Sequence, residues 1–360
     1  MESLQTESVP APNRPAAPGT LHRRIKKSFE ALTHGFIIFA PGLLLAAAIA
    51  AAALALRAIP GLELVSPIAL ALVVGAAFRL VSGTQIQTQA GLRLASRRLL
   101  RLAVVMLGFQ ITIAQMIHIG LSGIAVVGSS VIATFAFTVG VGRLLKIDRS
   151  LSQLLAAGTS ICGASAILAA NSVISAKDED VAYAIGCITL FGTLAIFSYP
   201  LLAAAAGLDS REYGLWAGAS IHEIAQVVAA AFQLGQEAGQ YGTISKLVRV
   251  AFLAPMIGVM SGFAWTSLSS QATVSRPPFP LFIIGFLAVV VVNSLVTIPD
   301  FVRMWLSTAT GALFALSLAA LGLELELRQV ANRGWAPLAL AAMATLFVAL
   351  FSFVAIKILL

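Results

Sequence analysis

Long apolar runs restrict the fold of this chain more than any other feature. Stretches of about 20 residues with few charged side chains recur from residue 33 to the carboxyl end, and a helix of that length crosses the ~30 Å hydrocarbon layer of a bilayer. Charged residues make up 11% of the chain, whereas soluble domains carry about 25%. Strand-like alternation is absent, which argues against a β-barrel. We therefore predict an all-α integral membrane protein.

About 11 transmembrane helices are predicted, and basic residues define their orientation. Their approximate bounds are 33–57, 64–83, 95–117, 121–144, 151–174, 181–206, 212–234, 243–266, 279–299, 302–323 and 335–359. Loops rich in Lys and Arg stay in the cytoplasm, so the amino end is predicted inside and the carboxyl end outside. Arg57, Lys177, Arg303 and Lys357 are the basic residues expected outside. The net charge of +8 then reflects topology and contact with lipid headgroups, not nucleic-acid binding.

Three regions are predicted along the chain. Residues 1–20 are rich in Pro, Ala, Ser and Thr, which is typical of a disordered tail. Residues 21–32 carry basic side chains beside an apolar stripe, which indicates a basic amphipathic segment at the membrane interface or a simple basic flank. Residues 33–360 form one polytopic transmembrane domain. The two cysteines, Cys162 and Cys187, have neither disulfide nor metal spacing, so no metal or cofactor is predicted.

Two segments place small and polar residues at membrane depth. AGTSICGASAILAA at 157–170 and AGASIHEIAQVVAA at 217–230 share the frame A-G-x-S-I-x-x-x-A. Such residues favour a break in a helix, and the second half of a broken helix begins with free N–H groups that suit an anion. The candidate anion-binding residues of the first segment are Thr159, Ser160, Gly163 and Ser165. Close packing between helices is the alternative explanation.

The relation between these two segments is left open by the sequence. They lie two predicted spans apart, so both would run outward as parallel copies unless one is a re-entrant hairpin. A weaker internal match at a spacing of 214 residues pairs the first four spans with the last four, and it predicts inverted repeats, which are common in transporters.

Ionisable residues occur in the second segment and in the span after it. Ser220, His222, Glu223 and Gln226 lie within a predicted span, where such side chains usually face a partner or a water-filled cavity. We interpret Arg249 as a buried cation that pairs with Glu223 or contacts substrate. Lys246 is expected to extend to the interface.

Three ordered motifs are similar to one known family. GTSICGASAI at 158–167, GASIHEIAQVVAA at 218–230 and KLVRVAFLAP at 246–255 resemble the YeiH-type bacterial inner-membrane proteins, to which sulfate export is attributed. The resemblance covers the chain from about residue 33 onward. It implies a multi-pass protein of the bacterial plasma (inner) membrane, discontinuous helices with inverted repeats, a homodimer, and distant similarity to cation/proton antiporters and bile-acid-type carriers.

These observations predict a secondary transporter, and not an enzyme, that exports a small inorganic anion such as sulfate or sulfite. One Glu against Lys246 and Arg249 in the central spans favours an anion, and no nucleotide-binding motif indicates ATP drive. The predicted substrate-binding residues are Thr159, Ser160, Gly163, Ser165, Ser220, His222 and Arg249. Proton coupling is assigned to His222, Glu223 and Gln226, and membrane lipid is the other expected partner.

Two other functions compete with this prediction. A cation/proton antiporter would use Glu223 as its carrier, but the predicted spans have no Asp-Asp or Asn-Asp pair at the middle of the membrane. An intramembrane hydrolase would use Ser160 or Cys162 as nucleophile and His222 as base. Ser160 is followed by Ile-Cys-Gly and not by the Gly of a G-x-S-G motif.

Overall fold

A computed structural model describes residues 19–59, 66–83, 86–265, 281–325 and 335–359, and these ranges are almost entirely helical. For residues 19–37 and 262–265 only the backbone is described. The tail predicted at 1–20 lies almost wholly outside the described residues. The basic segment predicted at 21–32 continues without interruption into the first membrane helix.

Fifteen α-helices are labelled here in chain order within the described ranges. They are α1 Gly19–Leu56, α2 Pro67–Ser82, α3 Gln89–Arg93, α4 Leu100–Leu107, α5 Ile113–Leu144, α6 Arg149–Ser160, α7 Ala164–Ile174, α8 Asp178–Ala205, α9 Ser210–Ser220, α10 Ile224–Ala231, α11 Gln236–Ala251, α12 Leu253–Trp265, α13 Leu281–Leu295, α14 Asp300–Glu324 and α15 Trp335–Leu359. A π-helix at Leu94–Leu99 joins α3 to α4. Six helices in these ranges are long and apolar enough to cross a membrane, and shorter apolar helices accompany them. The all-α membrane fold is confirmed.

Local caps set boundaries that hydropathy alone misplaces. The side chain of Thr112 accepts a hydrogen bond from Gln115 N at 3.3 Å, and Gln115 Oε1 accepts one from Thr112 N at 2.9 Å. This reciprocal cap starts α5, so the predicted span 95–117 is interrupted before its end. The helical run that precedes it begins at Ile86 and not at residue 95, so Arg93 joins Arg97 and Arg101 inside the helix.

The helices pack as two bundles. One bundle consists of α1 to α4 with α13 and α14, and the other consists of α5 to α12 with α15. The 214-residue match equates α1 with α12, but α1 packs in the first bundle and α12 packs against α7 in the second. That gap-free repeat is therefore not reflected in the packing.

Helices α9 and α10 form a re-entrant hairpin. Along α11, Gly214 and Gly218 of α9 pack against successively later residues, so α9 and α11 are parallel. Gly239 and Gly242 of α11 pack against Phe232 and then against Ala231 and Val227, so α10 runs the other way. Tyr213 Oη donates to Ala230 O at 3.0 Å, which joins the start of α9 to the end of α10. The hairpin therefore returns to the membrane face from which it entered.

Helices α6 and α7 form a second hairpin. Gly158 of α6 packs against Ile167 of α7, which shows that the chain folds back after its break. Gln226 Nε2 donates to Thr189 O at 3.2 Å and Gln233 Nε2 donates to Ile196 O at 3.0 Å, so α8 runs parallel to α10. Helix α10 runs from mid-membrane to the face at which α9 begins, and α8 runs toward that same face. Helix α8 therefore begins at the other face, to which α7 returns.

The two hairpins enter from opposite faces. Arg211 at the start of α9 donates to His118 O at 2.7 Å, and Glu212 pairs with Lys357 at 2.6 Å. The start of α6 lies at the other end of α5, where Gly142 packs against Ser152. We call the face that carries Arg143 and Arg149 the basic face.

The hairpins therefore correct the predicted topology. Of the two arrangements that the sequence left open, the parallel copies are excluded, because the 157 and 217 segments are an inverted pair of re-entrant hairpins. Lys177 lies on the basic face and Arg211 on the opposite face, the reverse of their predicted sides. Each hairpin returns to its own face and so removes one predicted crossing of the membrane. Because two crossings are removed, the predicted placement of the two chain ends on opposite sides is unaffected.

Candidate functional site

Both hairpins break at the predicted small and polar residues. Helix α6 ends at Ser160 and α9 ends at Ser220, and each hydroxyl donates back to the carbonyl four residues earlier, that of Ala156 or Trp216. Such bonds weaken the regular helical pattern. Gly163 has φ +68°, a conformation that glycine adopts without strain. The predicted breaks in both segments are confirmed.

Two cations of α11 cap the carbonyl ends of both broken helices. Lys246 Nζ donates to Ile161 O and Ile221 O, each at 2.8 Å. The Arg249 guanidinium donates to Ser160 O at 2.6 Å, to Ile221 O at 3.0 Å and to Thr159 O. Both side chains are fully buried. They satisfy carbonyl groups that a helix end leaves without partners.

This arrangement corrects two predictions. Lys246 does not extend to the interface, because its ammonium group is held at mid-membrane. Arg249 does not pair with Glu223, because its three donor nitrogens all bond backbone carbonyls. The two carbonyl ends together carry about one negative charge, so the formal charge of the two cations exceeds theirs.

Glu223 lies where the amino ends of α7 and α10 meet. It is the first residue before α10 and forms a reciprocal cap with Gln226, whose Oε1 accepts from Glu223 N at 3.1 Å. A Cβ at Gly163 would lie 2.6 Å from Glu223 Cγ, so the side chain of Glu223 lies against the residue that precedes α7. A negative charge therefore stands at two helix amino ends, where the helix dipole favours it.

A cavity of about 490 Å³ leads from the basic face to this point. We call it the arginine cavity. Its polar lining comprises Arg79, Thr88, Gln89, Arg93, Ser96, Arg97, Arg101, Cys162, Ser165, Thr189, Glu223 and Glu324. Among the described residues, four arginines and two glutamates line the cavity, and together they carry a positive formal charge.

A second cavity of about 330 Å³ lies toward the opposite face. Its polar lining comprises Arg57, Ser66, Gln110, Gln233, Gln236, Ser307 and Thr310. Between the two cavities, α10 of the second bundle packs with apolar residues of the first, among them Leu72 and Phe314. Each cavity is lined by helices of both bundles.

Few of the predicted binding residues reach a cavity. Ser165 and Glu223 line the arginine cavity, and Gly163 shapes its base by contact with Glu223. Thr159, Ser160, Ser220 and Arg249 are buried and line neither cavity. Gln226 is buried as well and bonds Thr189 O and Glu223 N.

His222 faces away from the arginine cavity toward α15. Its Nε2 lies 3.2 Å from Thr345 Oγ1, and that hydroxyl donates its proton to Ala341 O. The hydroxyl therefore accepts from His222. Among the described residues, no hydrogen bond joins His222 to Ser160 or Cys162, so the geometry offers no support for a hydrolase.

The sequence prediction missed the arginines of the cavity. Arg93, Arg97 and Arg101 recur at intervals of four, which places them on one helical face. That spacing was a usable signal, but Arg93 lies before the predicted start of the helix at residue 95, and the basic residues were used only to orient the spans. Glu324, an ordinary end-of-span residue by its position, accepts a hydrogen bond from Ser96 Oγ at 2.8 Å inside the cavity.

Replacing Gly163 with Ala is expected to destabilise the protein by about 1–2 kcal/mol, because an L-residue at positive φ is strained. The new methyl group would also displace the Glu223 side chain. Thermal melting in detergent measures the change. Gly140→Ala is the matched control, since that helical glycine has open space around its Cβ position; equal melting of the two variants would contradict the prediction.

Comparison with known proteins identifies the family. The profile of the family described as conserved hypothetical protein 698 matches residues 41–341. The chain belongs to this family. A UPF0324 membrane protein of Brucella melitensis is 35% identical over 302 residues, which is 82% of this chain and 84% of that protein. The UPF0324 inner membrane protein YeiH of Salmonella typhimurium is 34% identical over 242 residues, 66% of this chain and 69% of that protein.

Membership confirms the resemblance to YeiH-type proteins and the membrane location. No solved structure matches the chain. The names of these two relatives describe them as membrane proteins and mention neither a substrate nor a reaction.

Proposed function

We propose that the protein is a secondary transporter of a small inorganic anion, with sulfate or sulfite as the expected cargo. The observation that carries the proposal is the arginine cavity, which ends at the amino ends of two broken helices. Guanidinium groups bind oxyanions through paired hydrogen bonds, and helix amino ends attract negative charge. If the arginines only stabilised the fold, they would not need to line a cavity that is open to one face of the membrane.

Passage across the membrane requires that the two cavities open in turn. Each cavity is bounded by both bundles, and apolar packing between α10 and the first bundle separates them. A movement of the second bundle against the first would transfer the site from one cavity to the other. We place the basic face in the cytoplasm, because loops rich in Lys and Arg stay inside. The direction we propose is export, because the arginine cavity then takes up its anion from the cytoplasm.

Proton coupling is assigned to Glu223. It is a carboxylate that lines the cavity beside the helix breaks, so it can exchange protons with water and act on a bound anion by charge. His222 was predicted to share this role, but it lies against Thr345 and lines neither cavity.

A cation/proton antiporter is the alternative, and Glu223 is the residue that favours it. A carboxylate at the meeting point of two broken helices would bind a cation or a proton. The four arginines around the access path oppose cation entry, because like charges repel along a confined path. We therefore retain the anion as cargo.

The test compares two adjacent arginines. Arg97→Gln is expected to reduce sulfate or sulfite counterflow in liposomes at least tenfold, since a charged hydrogen bond contributes about 1.5–3 kcal/mol. Arg98→Gln is the matched control, because Arg98 belongs to the same π-helix and is exposed but does not line the cavity. It should transport like the wild-type protein.

Three outcomes would contradict the proposal. Equal counterflow by the Arg97 and Arg98 variants would exclude the arginine cavity as the path. Exchange of sodium or potassium for protons, without anion flux, would favour the antiporter. Cleavage of a marker peptide by the same preparation would favour the hydrolase.

A further inference from the structure

Glu324 is a carboxylate placed among the arginines of the arginine cavity. It ends α14, and its Oε2 accepts a hydrogen bond from Ser96 Oγ at 2.8 Å. The charges of Arg97, Arg93 and Arg79 act on it. The transport role proposed above requires the arginines but makes no use of this carboxylate.

A tethered carboxylate changes what the arginines can bind. In the absence of cargo it already supplies one negative charge to the cluster, and its attachment to α14 keeps it there. A chloride ion that replaced it would exchange one negative charge for another. A dianion would add charge to a lining in which arginines still outnumber glutamates, and Coulomb attraction scales with that charge.

We propose that Glu324 is a specificity-determining residue that makes the arginine cavity select multiply charged anions over halides. This inference rests on the proposed function, since it assumes that anions enter this cavity. The anion and the Glu324 carboxylate compete for the same arginines. Chloride, with a single charge, competes less well than a dianion, so the carboxylate disfavours chloride more strongly.

The competition also depends on pH. Protonation of Glu324 removes its charge, so acidification should admit chloride more readily. The groups that act on it from neighbouring elements are Arg79 of α2, Arg93 and Arg97 of the run that begins at Ile86, and Glu223 before α10. We assign the change in chloride affinity to protonation of the two carboxylates.

The experiment measures anion binding to the full-length protein in detergent by calorimetry. Sulfate and chloride are the probes, because neither changes its charge between pH 5 and pH 8. Glu324→Gln is expected to bind chloride at least tenfold more tightly than the wild-type protein, and its preference for sulfate should fall accordingly. Glu324→Asp keeps the charge and should keep most of the preference.

Glu212→Gln is the matched control. Glu212 pairs with Lys357 at the opposite face and lines neither cavity, so its loss should leave both affinities unchanged. The wild-type protein adds a test that does not depend on the folding of a variant: its chloride affinity should rise between pH 8 and pH 5.

The outcomes separate this inference from the proposed function. Wild-type selectivity in Glu324→Gln would overturn the role of Glu324 and leave the transporter standing. If Glu324→Gln fails to fold, the pH series is measured on Glu223→Gln, in which Glu324 is the remaining carboxylate of the described lining; chloride affinity that does not rise between pH 8 and pH 5 in that protein would overturn the inference. Absence of any sulfate or chloride binding to the wild-type protein would overturn both proposals.

Discussion

Replacing Arg249 with Gln is expected to abolish transport and to lower the free energy of unfolding by about 3 kcal/mol or more. The guanidinium serves the carbonyls of Thr159, Ser160 and Ile221. Glutamine is too short and has too few donors to replace it, and each buried group left without a partner costs about 1–3 kcal/mol. Thermal melting in detergent and anion counterflow in liposomes measure the two effects.

Two variants sharpen this result. Arg249→Lys retains a charge and part of the donor capacity, so it should be intermediate in melting and transport. Lys357→Gln is the control, because its ion pair with Glu212 is partly exposed and such pairs contribute about 0–1 kcal/mol. If Arg249→Gln melted like the wild-type protein, the capping role of Arg249 would be excluded.

Replacing Glu223 with Gln is expected to slow anion transport at least tenfold and to remove its response to an imposed pH gradient. The charge at the amino ends of α7 and α10 would be lost, and each helix end contributes about 0.3–2 kcal/mol of attraction to it. The stability loss should be smaller than for Arg249→Gln, because Gln can still accept a hydrogen bond there. Counterflow with and without a pH gradient provides the measurement.

Glu237→Gln is the control for Glu223. This glutamate belongs to the first turn of α11 and is exposed, so its flux should respond to the gradient as before. Flux that still follows the gradient in Glu223→Gln would place the coupling group elsewhere. Glu223→Asp, which keeps the carboxylate, should restore part of the response.

The location of the breaks could be predicted from the sequence because composition reports backbone preference directly. Gly158, Ser160 and Gly163 weaken a helix wherever it packs, and the same holds for Ser220 and its neighbours. Whether the chain continues outward after a break or turns back depends on tertiary contacts, such as the bond from Tyr213 to Ala230 O. Hydropathy is identical for the two paths, so the sequence could not decide between parallel copies and re-entrant hairpins.

The partners of the buried charges were harder to predict. Opposite charges in neighbouring spans suggested that Arg249 pairs with Glu223, but backbone carbonyls at the helix breaks also need donors. Those carbonyls become acceptors only because the helices end at mid-membrane, and Lys246 and Arg249 reach both ends at once. A prediction that considers only pairs of side chains overlooks the backbone carbonyl group, which every residue carries.

Predicting the arginine cavity from the sequence requires knowing which helix face the arginines occupy. Their spacing of four could have been recognised, but a charged cluster beside an apolar run is usually read as a loop. Glu324 looked like a surface residue for the same reason. Its contact with Ser96 spans 228 positions in the chain, and no local pattern reports such a distance.

The capping of both hairpins by α11 also determines the order in which the chain can assemble during synthesis. Ile161 precedes Lys246 by 85 residues and Thr159 precedes Arg249 by 90. While the first hairpin leaves the ribosome its carbonyl end has no donor, and lipid offers none. It must therefore wait at the bilayer surface or in the insertion machinery until α11 arrives, so a late helix completes an early one. A nascent chain that stops before Lys246 would carry two unfinished hairpins, which membrane proteases could recognise as incomplete.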